Sequence, residues 1–413
     1  MKYLVLLVIS LISLNTSIAQ SWFQQSPSTL SDINNVNFAS STTGWAFGDS
    51  IIGITFQRGM IKKTTDKGAS WSSQFIGSDS IQIISSHIFS ANEVIAVGKF
   101  QTTGDGAVIK TVDGGSNWSR DTTSAPERLF DVSFSDASNG WIVGRNGYIG
   151  KSADGGTSWG TQTSTTGEDL FSISFSDPLN GWAVGADDGS GAMILHTSDG
   201  GATWTRQAIS SFGDLNQIHA LSVSSAVACG QEGNIIYTSD SGSTWLNGVS
   251  GTTSDLNHVH FSSLLNGRAV GLGGTVVSTT NGGLNWSAET SNTLNDISCV
   301  YNNSTNINAW YGGKNGDIYI YAASAPNSII EHVATNINAY PNPVFDMLTI
   351  EVVDNQNIGS IQIYDITGNL IYAKDNVFNK SETLNLSGLS SGSYILKVRN
   401  EEGQIFVHSV LKQ

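Results

Sequence analysis

A single eight-residue pattern recurs along most of the chain and constrains its fold more than any other feature. It reads Thr64-Thr65-Asp66-Lys67-Gly68-Ala69-Ser70-Trp71 and returns at 111–118, 152–159, 197–204, 238–245 and 279–286, with Trp-to-Trp steps of 47, 41, 45, 41 and 41 residues. A second pattern alternates with it: Leu129-Phe130-Asp131-Val132-Ser133-Phe134, a polar turn, then Gly140-Trp141-Ile142-Val143-Gly144. Its relatives at 36–48, 84–98, 171–185, 218–230, 259–271 and 297–313 bring this unit to seven copies against six of the first. The period is that of a four-stranded propeller blade, and the apolar alternation within each unit is that of strands. The expected fold is all-β, a seven-bladed β-propeller, with strands A and B in the second pattern, strand C before the Asp motif and strand D starting at its Trp. The seventh unit stops after strand C at Tyr321, whereas Ser21-Trp22-Phe23-Gln24-Gln25 resembles a strand D opening. Residues 21–26 are therefore expected to close the last blade, which protects strand edges that would otherwise stay open.

The Asp motifs have a sufficient structural explanation. Their glycines permit positive φ, the carboxylates can accept backbone N–H bonds within the C–D turn, and the Trp supplies apolar bulk. Asp66, Trp71, Asp113, Trp118, Asp154, Trp159, Asp199, Trp204, Asp240, Trp245, Asn281 and Trp286 are thus assigned as structural, and the amide of Asn281 can accept the same bonds as a carboxylate. No turn carries the ligand spacing of a calcium loop, and no metal or cofactor is expected. Asp187-Asp188-Gly189-Ser190-Gly191 reads as a solvated turn, and Gly271-Leu272-Gly273-Gly274 precedes no helix and so is no phosphate loop. His219 and His260 occupy equivalent strand A positions predicted to face the central channel.

A net charge of −15 with no basic cluster excludes nucleic acid as a partner and disfavours anionic membranes. Lys2, the apolar run 4–14 and Ser17-Ile18-Ala19 read as a signal peptide, residues 1–19, and no later segment is long and apolar enough to insert in a membrane. Cys229 and Cys299 align with core positions of their repeats and are expected as buried thiols.

The pairing of Gly-Trp-Ala-Val-Gly with Gly-x-Ile-x-x-Thr-x-Asp-Gly-Gly-x-x-Trp resembles the propeller family of photosystem II assembly and stability factors, within a wider Asp-box (BNR) group that includes sialidases and xyloglucan hydrolases. The fullest copy runs from Gly181 to Gly185 and on through Thr197 to Trp204. Blade two lacks the Gly-Trp, blade five keeps only Val227-Ala228-Cys229-Gly230, and Arg268 replaces the Trp in blade six. Further on, Tyr340-Pro341-Asn342-Pro343, Ile361 to Gly368 and Leu384 to Val398 resemble the type A C-terminal sorting domain of the type IX (Por) secretion system. That likeness implies a Bacteroidetes-type bacterium, transfer through the outer membrane and a small Ig-like β-sandwich. The expected organisation is 1–19 signal peptide, 20–323 propeller, 324–336 linker and 337–413 sorting domain, the last engaging the type IX secretion machinery. A protein so exported cannot meet a photosystem intermediate.

The functional expectation is a secreted or cell-surface, non-catalytic propeller that binds an extracellular protein or glycan; the alternative is an Asp-box glycoside hydrolase. The string Phe/Tyr-Arg-Ile-Pro shared by sialidases is absent, since Arg58 sits in Gln57-Arg58-Gly59-Met60. No catalytic residue is assigned. The D–A and B–C loops form the candidate ligand face, comprising Glu127, Arg128, Arg145, Asn146, Asp169, Asp187, Asp188, Asp214, Glu232, Asp255 and Lys314, with the longest B–C loops at 49–59 and 99–106. Within it Arg128, Arg145, Asp188, Glu232 and Asp214 are the chosen candidates, the two arginines as a bidentate grip on a carboxylate or sulfate, unless they pair with Glu127 or Asp131.

Overall fold

The computed structural model describes residues 20–413 apart from 26, 28, 30, 53–55, 75–80, 122–124, 126, 210–212, 304–307, 323–336, 353–356, 366–369 and 401–404. The signal segment 1–19, the linker 324–336 and Ser26 of the closing strand lie outside the described residues.

Seven four-stranded antiparallel sheets follow one another as meanders. Their first strands are Asp32–Phe38, Ile81–Ile88, Leu129–Phe134, Leu170–Phe175, Leu215–Ala220, Leu256–Phe261 and Ile297–Asn302, which open blades 1 to 7. Blade 4 continues through Gly181–Gly185, Met193–Thr197 and Thr205–Arg206. Blade 7 draws its outer strand from the other end of the chain: Ser21–Gln25 pairs antiparallel with Ile318–Ala322, from Ser21 opposite Ala322 to Gln25 opposite Ile318.

The two glycines of Gly-Trp-Ala-Val-Gly have separate causes. The second abuts the backbone of strand A, where a Cβ on Gly48, Gly98 or Gly271 would come within 1.8 to 1.9 Å of the carbonyl of Asp32, Gln82 or Asp255. The first lies beneath an aromatic ring. Phe38, Phe134, Phe175 and Phe261 pair across the A and B strands with Gly44, Gly140, Gly181 and Gly267, and a Cβ there would fall within 2.2 to 2.8 Å of the ring. Where strand A carries a smaller partner the glycine is lost as well: Ile88 faces Val94, Ala220 faces Ala226 and Asn302 faces Ala309. The repeats thus vary in matched pairs, as cross-strand packing requires.

These rings also join the blades. Trp141 of blade 3 stacks on Phe175 of blade 4 at 3.5 Å and 6°, and Trp310 of blade 7 stacks on Phe38 of blade 1 at 3.8 Å and 22°, sealing the ring. In the four blades that keep the Phe, the Trp of the Asp turn meets it at a steep angle, 76° to 88°. Blade 6 departs from this scheme in a compensated way. Arg268 replaces the strand B Trp, and Asn302 replaces the Phe it would stack on. The buried guanidinium of Arg268 donates to Asn302 Oδ1 at 3.0 Å and to Glu289 at 3.1 Å, and lies 4.2 Å from the Tyr321 ring. Glu289 also accepts Trp22 Nε1 at 3.1 Å, so one carboxylate ties blade 6 to the strand that completes blade 7. Glu289→Ala should cost about 3–5 kcal/mol, because it strands a buried cation. A melting curve displaced downward by several degrees checks this, and parental stability would contradict it.

Both thiols are free and buried, Cys229 in blade 5 and Cys299 in blade 7, and burial pushes Cys299 up to about 12. The chain divides into two compact units at Ala325/Pro326. The second unit is a sandwich with its own core of Ile350, Ile361, Leu396 and Val398. One sheet holds Ile337–Tyr340, Met347–Val352 and Ser381–Asn385 in that order. The other holds Leu370–Asn379, Ile358–Asp365, Gly392–Asn400 and Ile405–Lys412.

Candidate functional site: the channel mouth

Every strand A carries a register shift near its start, between residue pairs such as Ile33/Asn35, Leu129/Asp131 and Leu256/His258. Such bulges re-aim side chains, and here polar ones line the channel. Asp131 accepts four hydrogen bonds there, from Ser85 Oγ, Ser172 Oγ, Val132 N and Ile173 N at 2.7 to 3.0 Å, and so joins blades 2, 3 and 4. Burial holds its carboxyl above the ordinary value despite those donors. Asp131 also lines a cavity of about 310 Å³, together with His87, Ser133, Ser174, His219, His260 and Tyr301 among others. Burial lowers His87 and His219 to about 4, so both imidazoles are neutral at pH 7. The rings of His219 and His260 lie 4.9 Å apart, and His260 Nδ1 accepts the Asn302 N–H at 3.2 Å. Among the described residues no group of three or more His, Cys, Asp or Glu is arranged to hold a metal ion.

At the end of the channel bearing the B–C and D–A loops, one position repeats: the residue just before the apolar residue at which the register of strand A shifts. It is Asp in five blades, and each carboxylate accepts a backbone N–H from the B–C turn of the blade before it. The pairs are Asn146 N to Asp169, Asp187 N to Asp214, Glu232 N to Asp255, Gly273 N to Asp296 and Asn315 N to Asp32, at 2.8 to 3.1 Å. Short B–C turns with a left-handed residue, such as Asn146 at φ 53° and Glu232 at φ 56°, present that N–H.

This arrangement commits most of the carboxylates on the candidate face. Asp214 also accepts Gln231 Nε2 at 3.0 Å. Asp188 receives Arg206 on both oxygens and the Ser190 hydroxyl, which depresses its pKa. Asp187 turns its side chain onto Gly189 N and Gly191 N. Glu127 accepts Asn146 Nδ2 at 2.6 Å and Asp131 faces the channel, so neither pairs with the two arginines. Glu232 is exposed. Arg145 is half exposed, with Nε 3.9 Å from Asp169 Oδ2.

Blades 2 and 3 break the series, with Gln82 and Arg128 in place of the Asp. The connections expected as long B–C loops at 49–59 and 99–106 are instead largely hairpin extensions, since Gly44–Ile52 pairs with Phe56–Thr64 as far as Ile52 opposite Phe56, and Val94–Phe100 pairs with Gly106–Thr111 as far as Lys99 opposite Gly106. Blades 2 and 3 follow these two hairpins, and a cavity of about 360 Å³ opens beside them, lined by Asp32, Asn34, Asp49, Gln82, Ile84, Arg128, Ser298 and Lys314. Asp49 Oδ2 accepts Gln82 Nε2 at 2.8 Å and Asn34 Nδ2 at 3.1 Å, while Oδ1 is buried without a partner among the described residues. Arg128 lies 5.3 Å from the Phe130 ring, and its Nε is likewise buried and unpartnered. Burial shifts both groups toward neutrality, Asp49 upward and Arg128 downward, and their mutual attraction opposes that. Lys314 is neutralised by Asp32 at 2.7 Å. Asp49, Asn34 and Gln82 escaped the sequence reading, although the break in an otherwise repeated Asp was available as a signal.

The C–D turns occupy the opposite end. Thr64 Oγ1 donates to Asp66 Oδ1 and accepts Gly68 N, each at 2.8 Å, while Ser70 N donates to the same carboxylate. The pattern recurs at Asp113, Asp154, Asp199 and Asp240. Asn281 reproduces it with Oδ1 accepting Asn285 N at 3.0 Å. All six residues serve their own turns.

Residues 122–261 match the family described as Photosynthesis system II assembly factor YCF48, and residues 338–412 match the Secretion system C-terminal sorting domain. No curated protein matches the chain significantly. Among solved structures, YCF48 from Cyanidioschyzon merolae is similar at 17% identity and TM-score 0.58, over 75% of this chain and 100% of that one. YCF48 bound to D1 peptide is similar at 15% identity and TM-score 0.58, over 73% and 94%. PorZ, a bacterial surface component of the type-IX secretion system of Porphyromonas gingivalis, is similar at 14% identity and TM-score 0.51, over 93% of this chain and 59% of that one. At these identities the likeness establishes the propeller fold. The sorting domain implies type IX export, to the cell surface or beyond it.

Proposed function

We propose that the chain is a secreted or surface-displayed, non-catalytic propeller that binds an extracellular protein or glycan at its channel mouth. The observation that carries this reading is the division of labour on that face. Asp169, Asp188, Asp214 and Asp255 are spent on internal bonds, so these four are not free to serve as the carboxylate pair of a glycosidase, whereas Arg128 lines the mouth cavity and Arg145 is half exposed. Arg is suited to bidentate capture of carboxylate or sulfate, and YCF48, solved with a peptide bound, supports a polypeptide as the ligand class. The purified protein, screened on glycan and protein arrays, should yield a ligand whose binding falls at least about tenfold in the Arg128→Ala, Arg145→Ala double variant, as loss of charge-assisted bonds implies. Asp113→Ala with Asp154→Ala should leave it intact. Loss confined to the second variant, with both proteins folded, would place the ligand at the opposite end.

A further inference from the structure

One ring of side chains in the channel is uncharged, partly open and rich in unused hydrogen-bonding capacity. In each blade strand A places one residue opposite the strand B position that is Trp in four blades, and all seven of these residues line the cavity of about 310 Å³. Each keeps part of its surface exposed. Four of them offer donors. Ser133 and Ser174 each accept a backbone N–H from the next blade, Phe175 N at 3.2 Å and Ala220 N at 3.0 Å, which leaves their hydroxyl protons to donate. Because His260 Nδ1 accepts the Asn302 N–H, the proton of this neutral imidazole sits on Nε2, and Tyr301 adds a phenol. The other three offer acceptors: Asn37, whose Nδ2 is engaged by Asn35 and Ser86 while its Oδ1 is not, and His87 and His219, each with one bare ring nitrogen at pH 7. Among the described residues Tyr301 Oη, His260 Nε2, Asn37 Oδ1 and the nitrogens of His87 and His219 have no partner, and none of these atoms is sealed from solvent. Asp131 is the sole Asp, Glu, Lys or Arg in the lining, and it is already held by four donors. On one side of the ring the aromatic groups form a continuous wall, with centroids 4.9 Å apart from His219 to His260, 5.0 Å from His260 to Tyr301 and 5.9 Å from Tyr301 to Phe38.

An ion entering such a ring would shed water and meet no counter-charge, so the lining selects against charged ligands. Its mixture of donors and acceptors suits groups that do both at a single atom, as hydroxyls do and the separate N–H and C=O of a peptide do not. The aromatic wall in turn suits a ring that presents C–H bonds, since aromatic faces carry partial negative charge. We propose that this collar binds an uncharged sugar residue, its hydroxyls bonded to the ring of donors and acceptors and its C–H face against His219, His260 and Tyr301. The volume of about 310 Å³ falls in the range of small-molecule sites, roughly 300–1,000 Å³. The inference goes beyond the role proposed for Arg128 and Arg145, neither of which lines this cavity.

Calorimetric titration and saturation-transfer NMR of the full-length protein with the methyl glycosides of glucose, galactose, mannose, fucose and N-acetylglucosamine test it, with acetyl-trialanine amide as an uncharged peptide probe. At least one glycoside should bind. Tyr301→Phe with His219→Phe keeps both rings and removes only their polar atoms, so the double variant should bind that glycoside at least about tenfold more weakly, as the loss of two neutral hydrogen bonds implies. Should the variant fold poorly, selective labelling of histidine in the parent protein decides the matter, because the bound sugar should shift imidazole resonances. Absence of binding by every glycoside, undiminished binding in the folded double variant, or a bound sugar that shifts no imidazole resonance would overturn the proposal. Binding of the blocked peptide alone would overturn it too and assign the collar to polypeptide. An array ligand lost on substitution of Arg128 and Arg145 would survive each of these outcomes and leave the role proposed for the mouth standing.

Discussion

A chain ending at Ala325 is expected to fold and to be missing from the cell surface and the medium. The propeller keeps all seven of its sheets after the truncation, because its last strand, Ile318–Ala322, is covered by Ser21–Gln25, and the sandwich beyond Pro326 has a separate core around Ile350, Ile361 and Leu396. What is lost is the segment 338–412 that matches the sorting domain. Immunoblots of periplasm, surface and medium, with the circular dichroism of the retained protein, measure the effect. Transfer of residues 337–413 to an unrelated periplasmic protein should carry that protein out. Normal release of the truncated chain would dissociate export from this domain.

The blade architecture was legible because its determinants are local and repeated. Gly140 opposite Phe134, or Asp154 two residues after Ser152, are relations within one repeat, and their recurrence in four and six blades makes them plain. The ligand face was harder to read for a physical reason: an Asp that accepts a backbone N–H from the preceding blade and an Asp that waits for a ligand are the same residue type in the same loop. Asp169, Asp214 and Asp255 therefore stood among the candidates, although their bonds to Asn146, Asp187 and Glu232 give them internal work. Their position, one residue before Leu170, Leu215 and Leu256, held the distinction. Asp49 lies within the strand Gly44–Ile52 and lines one cavity with Arg128 only because the ring curves two blades round, a relation that no spacing along the chain expresses. Likewise Arg268 read as a defect in blade 6, and only the contact with Asn302 and Glu289 shows it to be one half of a replaced pair.

Removal of Ser21–Gln25 should destabilise the propeller far more than the loss of five residues from an exposed tail. Trp22 is 2% exposed and packs between Tyr311 and Tyr321, with ring centroids at 4.6 and 5.2 Å. Its burial removes on the order of 200 Å² from water, about 5 kcal/mol as an upper estimate. Three blades feel the loss. Blade 7 loses the partner of Ile318–Ala322 and gains an open edge. Blade 6 loses the Trp22 Nε1 donor to Glu289 and the Trp22 carbonyl that Asn292 Nδ2 reaches at 2.6 Å. Blade 1 loses the side chain of Gln25, which packs against Gly68 in its C–D turn. A domain of this size shifts by about 2–4 °C for each kcal/mol, so the melting temperature should fall by about 10 °C or more at a fixed scan rate. The single change Trp22→Ala should reproduce about half of that fall, since it keeps the backbone ladder, and the strand supplied as a separate peptide should restore part of it. A truncated protein that melts within a degree or two of its parent would mean that the pairing of Ser21–Gln25 with Ile318–Ala322 does not hold the ring.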